Sequence, residues 1–201
     1  DFRAITEIAN SPHGILVNTA FPAKNFNEFL ALIKASPGKY MYATAGTCGT
    51  GHMVGAGFEH ATRTQMRHIP YRGAGPAAVD VVANQVPILI DGIPSTLPHI
   101  KAGKLKAMVI ASAQRSEALP DVPTFAKVGL AEVGDPSWYG LVAPAKTPDA
   151  IVQKLHEAAV ATLKDPALLE QFKASGAIAG LAGFMLAGAS GVTAGLKAWL
   201  R

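Results

Sequence analysis

The spacing of apolar positions switches repeatedly between the period of a strand and that of a helix, and Gly, Pro, Ser or Asn marks each switch. Ile5 and Ile8, then Ile15, Leu16 and Val17, are short apolar runs broken by Ser11-Pro12 and His13-Gly14. Two strands around a turn are expected there. Asn25 opens a helix. Glu28 lies three residues on, as in a capping box, and Phe26, Phe29, Leu30 and Ile33 recur on one face until Ser36-Pro37-Gly38. Tyr40, Met41, Tyr42 and Ala43 form a strand-like run, and a helical pattern (Met53, Val54, Ala56, Gly57, Phe58) starts near His52. Met66 to Tyr71, Val86 to Ile90 and Leu105 to Ala111 read as strands. Short helices through Ala78, Val79, Val82 and Ala83, and from Leu97 to Ile100, lie between them. Asp121-Val122-Pro123-Thr124 is a turn, and Trp138 to Ala143 a further strand. Thr147 is placed to cap a helix with Pro148 in its first turn and Ile151, Val152, Leu155, Ala159 and Leu163 as its buried stripe. Asp165-Pro166 repeats the start for a helix carrying Leu168, Leu169 and Phe172 and ending near Gly176.

Strands alternating with helices at this spacing imply an α/β architecture with a mostly parallel sheet. Ligands of such sheets sit beyond the carboxyl ends of the strands. The junction after Tyr40–Ala43 is the most informative one. Thr44, Ala45, Gly46, Thr47, Cys48, Gly49, Thr50 and Gly51 lead into His52 and the helix. A helix start offers unpaired N–H groups and the positive end of a dipole to an anion. Glycines let backbone approach a ligand, and threonine hydroxyls add neutral donors. The loop has no Lys and no GxxxxGK[ST] pattern, so a carboxylate suits it better than a triphosphate. Arg72-Gly73-Ala74-Gly75-Pro76 is a second glycine loop, and Asp91-Gly92 ends a strand at the same edge.

Composition narrows the class. Of 201 residues, 49% are hydrophobic and 16% charged, which selects a folded chain over a disordered one. The net charge of +4 is spread over scattered Lys and Arg, so nucleic acid is not the expected partner. One cysteine, Cys48, rules out an internal disulfide and a multi-Cys zinc site, and His60, His68 and His99 are too scattered for one. No metal or cofactor is expected. The opening Asp1-Phe2-Arg3-Ala4-Ile5-Thr6 has neither a signal-peptide pattern nor Met, so a processed or truncated start is expected. From Ala174 to Leu196 there is no charged residue and much Ala and Gly. Two readings stand open for this tail: a membrane span with a small-xxx-small pattern at Gly191 to Gly195, or a poorly specified loop and helix packed on the body.

The chain resembles the Bug family, the periplasmic solute-binding receptors of tripartite tricarboxylate transporters. The residues that carry the resemblance are Asp1–Thr6, Ser36-Pro37-Gly38-Lys39, Tyr42-Ala43-Thr44-Ala45-Gly46 with His52-Met53, and His68-Ile69-Pro70-Tyr71-Arg72-Gly73. Pro76-Ala77, Asp80, Gln85-Val86 and Asp91 continue it, followed by Ile100–Leu105, Arg115-Ser116, Leu119–Thr124, Trp138-Tyr139-Gly140-Leu141 and Ala143-Pro144. The match runs from residue 1 to about Gly176. It implies a type II periplasmic-binding-protein-like fold of two α/β lobes around a cleft. Residues 11–123 correspond to a complete lobe 2. Residues 1–10 and 124–201 correspond to crossing segments and the C-terminal part of lobe 1. The family's lobe-1 ligand loop has no counterpart, so the resemblance implies a fragment with half of its cleft missing. It further implies a periplasmic, non-enzymatic receptor that captures a small carboxylate and docks on membrane subunits of a transporter, with the Thr44–His52 loop as a ligand contact. Self-association of the unfinished lobe is a further expectation.

Departures and alternatives bear on the site. The family usually has Gly-Thr where Cys48-Gly49 stands, so either Thr47 or Thr50 takes the hydroxyl role. Arg72 either draws a second carboxylate by charge-assisted hydrogen bonds or faces water, and Gly73 goes with it. Asp91 either caps the next turn or accepts a donor of the ligand, because an anion beside a carboxylate opposes binding. His52 reads as a helix-terminus residue that orients the loop. Cys48 and His52, four apart, also suggest an enzyme with a thiolate–imidazole pair, though no orienting third group is evident. A membrane-anchored interaction module held by the glycine-rich tail is the other alternative. Trp138 and Tyr139 read as hinge and core packing.

Overall fold

The strand His13–Asn18 (β2) is buried at every position, which demands cover on both faces of its sheet. A computed structural model, describing residues 1–112, 115–134 and 136–180, shows that cover. β2 joins β3 (Met41–Thr44), β4 (Arg67–Pro70), β5 (Ile88–Gly92) and β6 (Leu105–Ala111) in a five-stranded sheet of order β4-β3-β5-β2-β6. β3 runs parallel to β4 and β5, while β2 runs antiparallel to β5 and β6. Four of the five strands therefore point the same way, and the expected α/β class with a mostly parallel sheet is what forms.

Alternation along the strands sorts the core into two layers. Ile15, Val17, Tyr42, Ile88 and Ile90 meet the apolar faces of α1 (Phe26–Ala35) and α2 (Thr50–Thr62), including Phe26, Phe29, Ile33, Val54 and Phe58. Leu16, Ala43 and Leu89 point the other way, onto Ala77, Ala78 and Val81 of α3 (Ala74–Val82). Ile93 and Leu97 of α4 (Ile93–Lys101) cover Ile110. Each fully buried Val, Leu, Ile or Phe contributes about 1.5–3 kcal/mol of transfer free energy. α1 starts as its sequence indicates. The Asn25 side chain accepts from the Glu28 N–H (3.0 Å), and the Glu28 carboxylate accepts from the Lys24 N–H (2.8 Å).

The two N-terminal strands do not pair with each other. β1 (Phe2–Ser11) and β2 are separated by Pro12 alone, and β1 lies in another sheet, of order β7-β1-β8, with β7 (Ser137–Pro144) and β8 (Ile178–Ala179). Pro12 has no N–H to continue a ladder, and its carbonyl accepts from Ile93 (2.8 Å) instead. The chain divides into two units. The larger comprises Ser11–Ser137 and Gln171–Ile178. The smaller comprises Asp1–Asn10, Trp138–Glu170 and, of the described residues, Ala179 and Gly180.

In the smaller unit, Ile5, Ala143 and Val152 form the buried cluster, and α5 (Asp149–Thr162) lays Val152 and His156 inward. Thr147 is not its cap. Pro148 holds the cap position without a side-chain bond, and the Thr147 carbonyl accepts from Arg3 (3.2 Å). Asp165 does cap α6 (Pro166–Ser175), accepting from the Ala167 N–H at 2.8 Å. Trp138 and Tyr139 are not core residues: they are 64% and 58% exposed. Of the charge-free tail, residues 174–180 are the end of α6, Gly176 at φ +77° and β8. The remainder, and with it the membrane-span reading, lies outside the described residues. Among the described residues no helix is long and apolar enough to cross a membrane.

Candidate functional site

β3, β4 and β5 are parallel, so their carboxyl ends share one edge of the larger unit's sheet. The chain leaves β3 at Thr44, turns through residues 45–49 and enters α2 at Thr50. It leaves β4 at Pro70 and enters α3 at Ala74. Two bonds hold these loops side by side: the Tyr71 N–H donates to the Thr44 carbonyl (3.0 Å), and the Gly73 N–H donates to the Ala45 carbonyl (2.9 Å). Both sequence-predicted glycine loops thus meet at one place. Asp91 ends β5 beside them.

Glycines bring α2 to the sheet. A Cβ on Gly51 would stand 2.4 Å from the Ile90 carbonyl oxygen, and one on Gly55 would stand 2.6 Å from the Tyr42 ring. Only a bare backbone allows that approach at two successive turns. The first turn of α2 therefore begins directly over the end of β5, two residues earlier than the apolar pattern indicates. Gly49 is its N-cap and supplies no side chain. Among the described residues nothing accepts from the N–H groups of Thr50, Gly51 and His52.

The loop has its own internal bonds. The Thr44 hydroxyl donates to the Gly46 carbonyl (3.0 Å) and lies 2.7 Å from His68 Nε2. Cys48 adopts φ +60°, left-handed backbone that costs a non-glycine residue about 1–3 kcal/mol. Its N–H donates to His52 Nδ1 (3.0 Å), a bond that helps to hold it there. The His52 ring stacks on His68 with centroids 4.0 Å apart and planes 10° apart, and Tyr42 stacks on His68 at 5.0 Å. His68 is held below the ordinary imidazole pKa, first by burial and second by His52. Burial, reinforced by Glu59, pushes the Tyr42 hydroxyl well above the ordinary phenol range.

Ala45, Thr47, Cys48 and Gly49 are exposed, and Gly46 and Thr50 are half-buried. The Ser137 hydroxyl donates to Thr50 Oγ1 (2.9 Å), so Thr50 keeps its own hydrogen for another acceptor. Arg72 is exposed, and among the described residues no carboxylate pairs with it. Gly73 takes φ +113°, which favours glycine. Tyr71 anchors this second loop by donating to Asp80 Oδ2 (2.7 Å). Burial first, and then that bond, raise its pKa to about 12. Asp91 is buried. One oxygen accepts from the Gly92 N–H (2.8 Å) and the other from the Ser95 hydroxyl (3.2 Å), while the cap position of α4 is Gly92, with no side-chain cap bond.

Two residues at the site escaped the sequence reading. Ser137 approaches Thr50 from 87 positions away, and no local signal marks that. His68 was legible only as one of several scattered histidines. Its place one strand from the loop follows from the Tyr42–His68 register of two parallel strands. The arrangement suits an oxyanion: unpaired amides, a helix start, one hydroxyl hydrogen and a nearby guanidinium. For the thiol–imidazole alternative, His52 Nδ1 accepts the backbone N–H of Cys48 rather than its thiol.

Comparison with known proteins agrees with this chemistry. Residues 1–179 match the model of the tripartite tricarboxylate transporter family receptor. An Agrobacterium vitis UPF0065 protein is 32% identical over 89% of this chain and 51% of its own length. Protein BugT of Bordetella pertussis is 30% identical over 88% of this chain and 54% of its own. The chain thus spans about half the length of these curated relatives. Among solved structures, one described as a periplasmic transporter is 46% identical with a TM-score of 0.83, over 89% of this chain and 60% of that one. An R. palustris protein with adipate has a TM-score of 0.87 at 25% identity, over 99% and 66%. MatC from Rhodopseudomonas palustris with bound malate has a TM-score of 0.79 at 29% identity, over 98% and 66%. These neighbours share the α/β periplasmic-binding fold.

Proposed function

This chain belongs to the tripartite tricarboxylate transporter receptor family, a family of solute-binding receptors rather than enzymes, and we propose that it captures a small organic carboxylate in the periplasm for a transporter of that type. The observation that carries this reading is the first turn of α2, where three N–H groups over the edge of β5 have no acceptor among the described residues. A carboxylate there takes backbone donors and the Thr50 hydroxyl, with the Thr47 hydroxyl beside them. Arg72 and Gly73 flank it at the end of β4, and Asp91 shapes the edge through its bonds to the Gly92 N–H and the Ser95 hydroxyl rather than by touching the ligand. Each hydrogen bond to a charged oxygen contributes about 1.5–3 kcal/mol. That two solved neighbours hold adipate and malate supports the class of ligand. Delivery to membrane subunits follows from the family rather than from a surface of this chain.

The test is isothermal calorimetry with malate and adipate as probes, on this chain and on a longer chain carrying the segment that precedes it in relatives. Thr47→Val together with Thr50→Val weakens affinity at least about tenfold, or roughly 1.4 kcal/mol. Unchanged affinity in the double variant would remove the hydroxyls from the site. No heat with either probe in a well-folded longer chain would overturn the carboxylate assignment.

A further inference from the structure

Building on the carboxylate reading, we infer that His68 is a positioning residue of the anion loop: it grips Thr44 where the loop begins and carries the His52 ring that holds Cys48 at the loop's middle. His68 lies on β4, opposite Tyr42 of β3, outside both glycine loops.

The proton inventory follows from the distances. Thr44 Oγ1 has one hydrogen, and the Gly46 carbonyl accepts it at 3.0 Å, while the Gly46 N–H donates back at 3.3 Å. With that hydrogen on the Gly46 carbonyl, the 2.7 Å contact to His68 takes His68 Nε2–H as donor, the assignment the inference makes. His52 Nδ1 accepts from the Cys48 N–H, so that nitrogen carries a lone pair. The loop is thus built on two stacked imidazoles, with His68 donating from Nε2 and His52 accepting at Nδ1. Parallel rings 4.0 Å apart do not converge their nitrogens on one point, and among the described residues no three ligands gather for a metal. Their role is to shape the loop.

The experiment is NMR on this 201-residue chain, with and without malate. Long-range nitrogen–proton spectra are expected to show His68 protonated at Nε2 and His52 unprotonated at Nδ1 at neutral pH. His68→Phe keeps a stacked ring without the donor and is expected to move the amide signals of Gly46 to Gly51. His68→Gln keeps a donor and is expected to restore them. Thr44→Val, should His68→Phe fold poorly, is expected to move the same amides, with no further movement on adding His68→Gln. His52→Asn, which keeps an acceptor for Cys48, is expected to raise the titration midpoint of His68, a response that a purely structural ring would not give. Loop amides indifferent to His68→Phe and Thr44→Val, or a His68 proton on Nδ1, would each overturn the inference. The expected tautomers and amide shifts with no malate binding would support the positioning role and count against the carboxylate reading alone.

Discussion

Gly51→Ala tests whether close approach of α2 to the sheet makes the site. The new Cβ would stand 2.4 Å from the Ile90 carbonyl oxygen, 3.3 Å from its carbon and 3.6 Å from Thr44 Cβ. Ile90 is backbone in β5, the middle strand of five, so it does not swing away. Relief requires α2 to lift by about 0.6–1.0 Å, a strain in the range of core overpacking, about 1–3 kcal/mol. Replacing glycine inside a helix returns at most about 1 kcal/mol. The net expectation is a loss of up to about 2 kcal/mol, read as a lower urea midpoint at unchanged slope. Gly57→Ala is the control. It lies inside the same helix, and its Cβ would meet only Val133 Cγ1 at 3.9 Å, so stability should hold or rise by up to about 1 kcal/mol. The lift also moves the Thr50, Gly51 and His52 amides, so their NMR signals should shift in Gly51→Ala. Equal urea midpoints for both variants, or a Gly51→Ala chain more stable than the parent, would refute the argument from close approach.

Two further outcomes are expected. His13 and His68 are both held below the ordinary imidazole value of about 6.5, in each case chiefly by burial. The unfolded chain then binds more protons just below that value, so stability present above about pH 6.5 is lost as pH falls. Thermal melts from pH 7.5 downward should show the decline, with a shallower slope for His68→Gln; a pH-independent melt would contradict it. The smaller unit exposes Phe2 (76%), Trp138 (64%) and Ile151 (50%), an apolar surface that favours association between copies. Light scattering should report a mass above the monomer, shifting toward it in Phe2→Ser with Trp138→Ser; a monodisperse parent monomer would count against this.

Signals that act within one turn of chain were legible beforehand. Asn25 and Glu28 cap α1, and Asp165 caps α6, because a cap bond joins residues two or three apart and needs no partner from elsewhere. The strand–glycine-loop–helix reading at Thr44 to His52 was legible for the same reason. The start of α2 was misplaced because Gly49, Thr50 and Gly51 carry no apolar signal, and their helical state rests on the fit of bare backbone against Ile90 and Tyr42. α4 begins four residues before the Leu97–Ile100 pattern, with Pro94 in its first turn, where a missing N–H costs nothing.

By itself, then, the sequence determined the α/β class, the order of elements, the family resemblance and the loop that offers donors to an anion. Those follow from periodicity, caps and glycine spacing, all short in range. Tertiary structure alone decided that β1 and β2 part at Pro12 into different sheets, that Ser137 reaches Thr50, and that His68 and His52 stack beneath the loop. Each is a meeting of residues far apart in the chain, set by strand order and register, and no local pattern records which strands become neighbours.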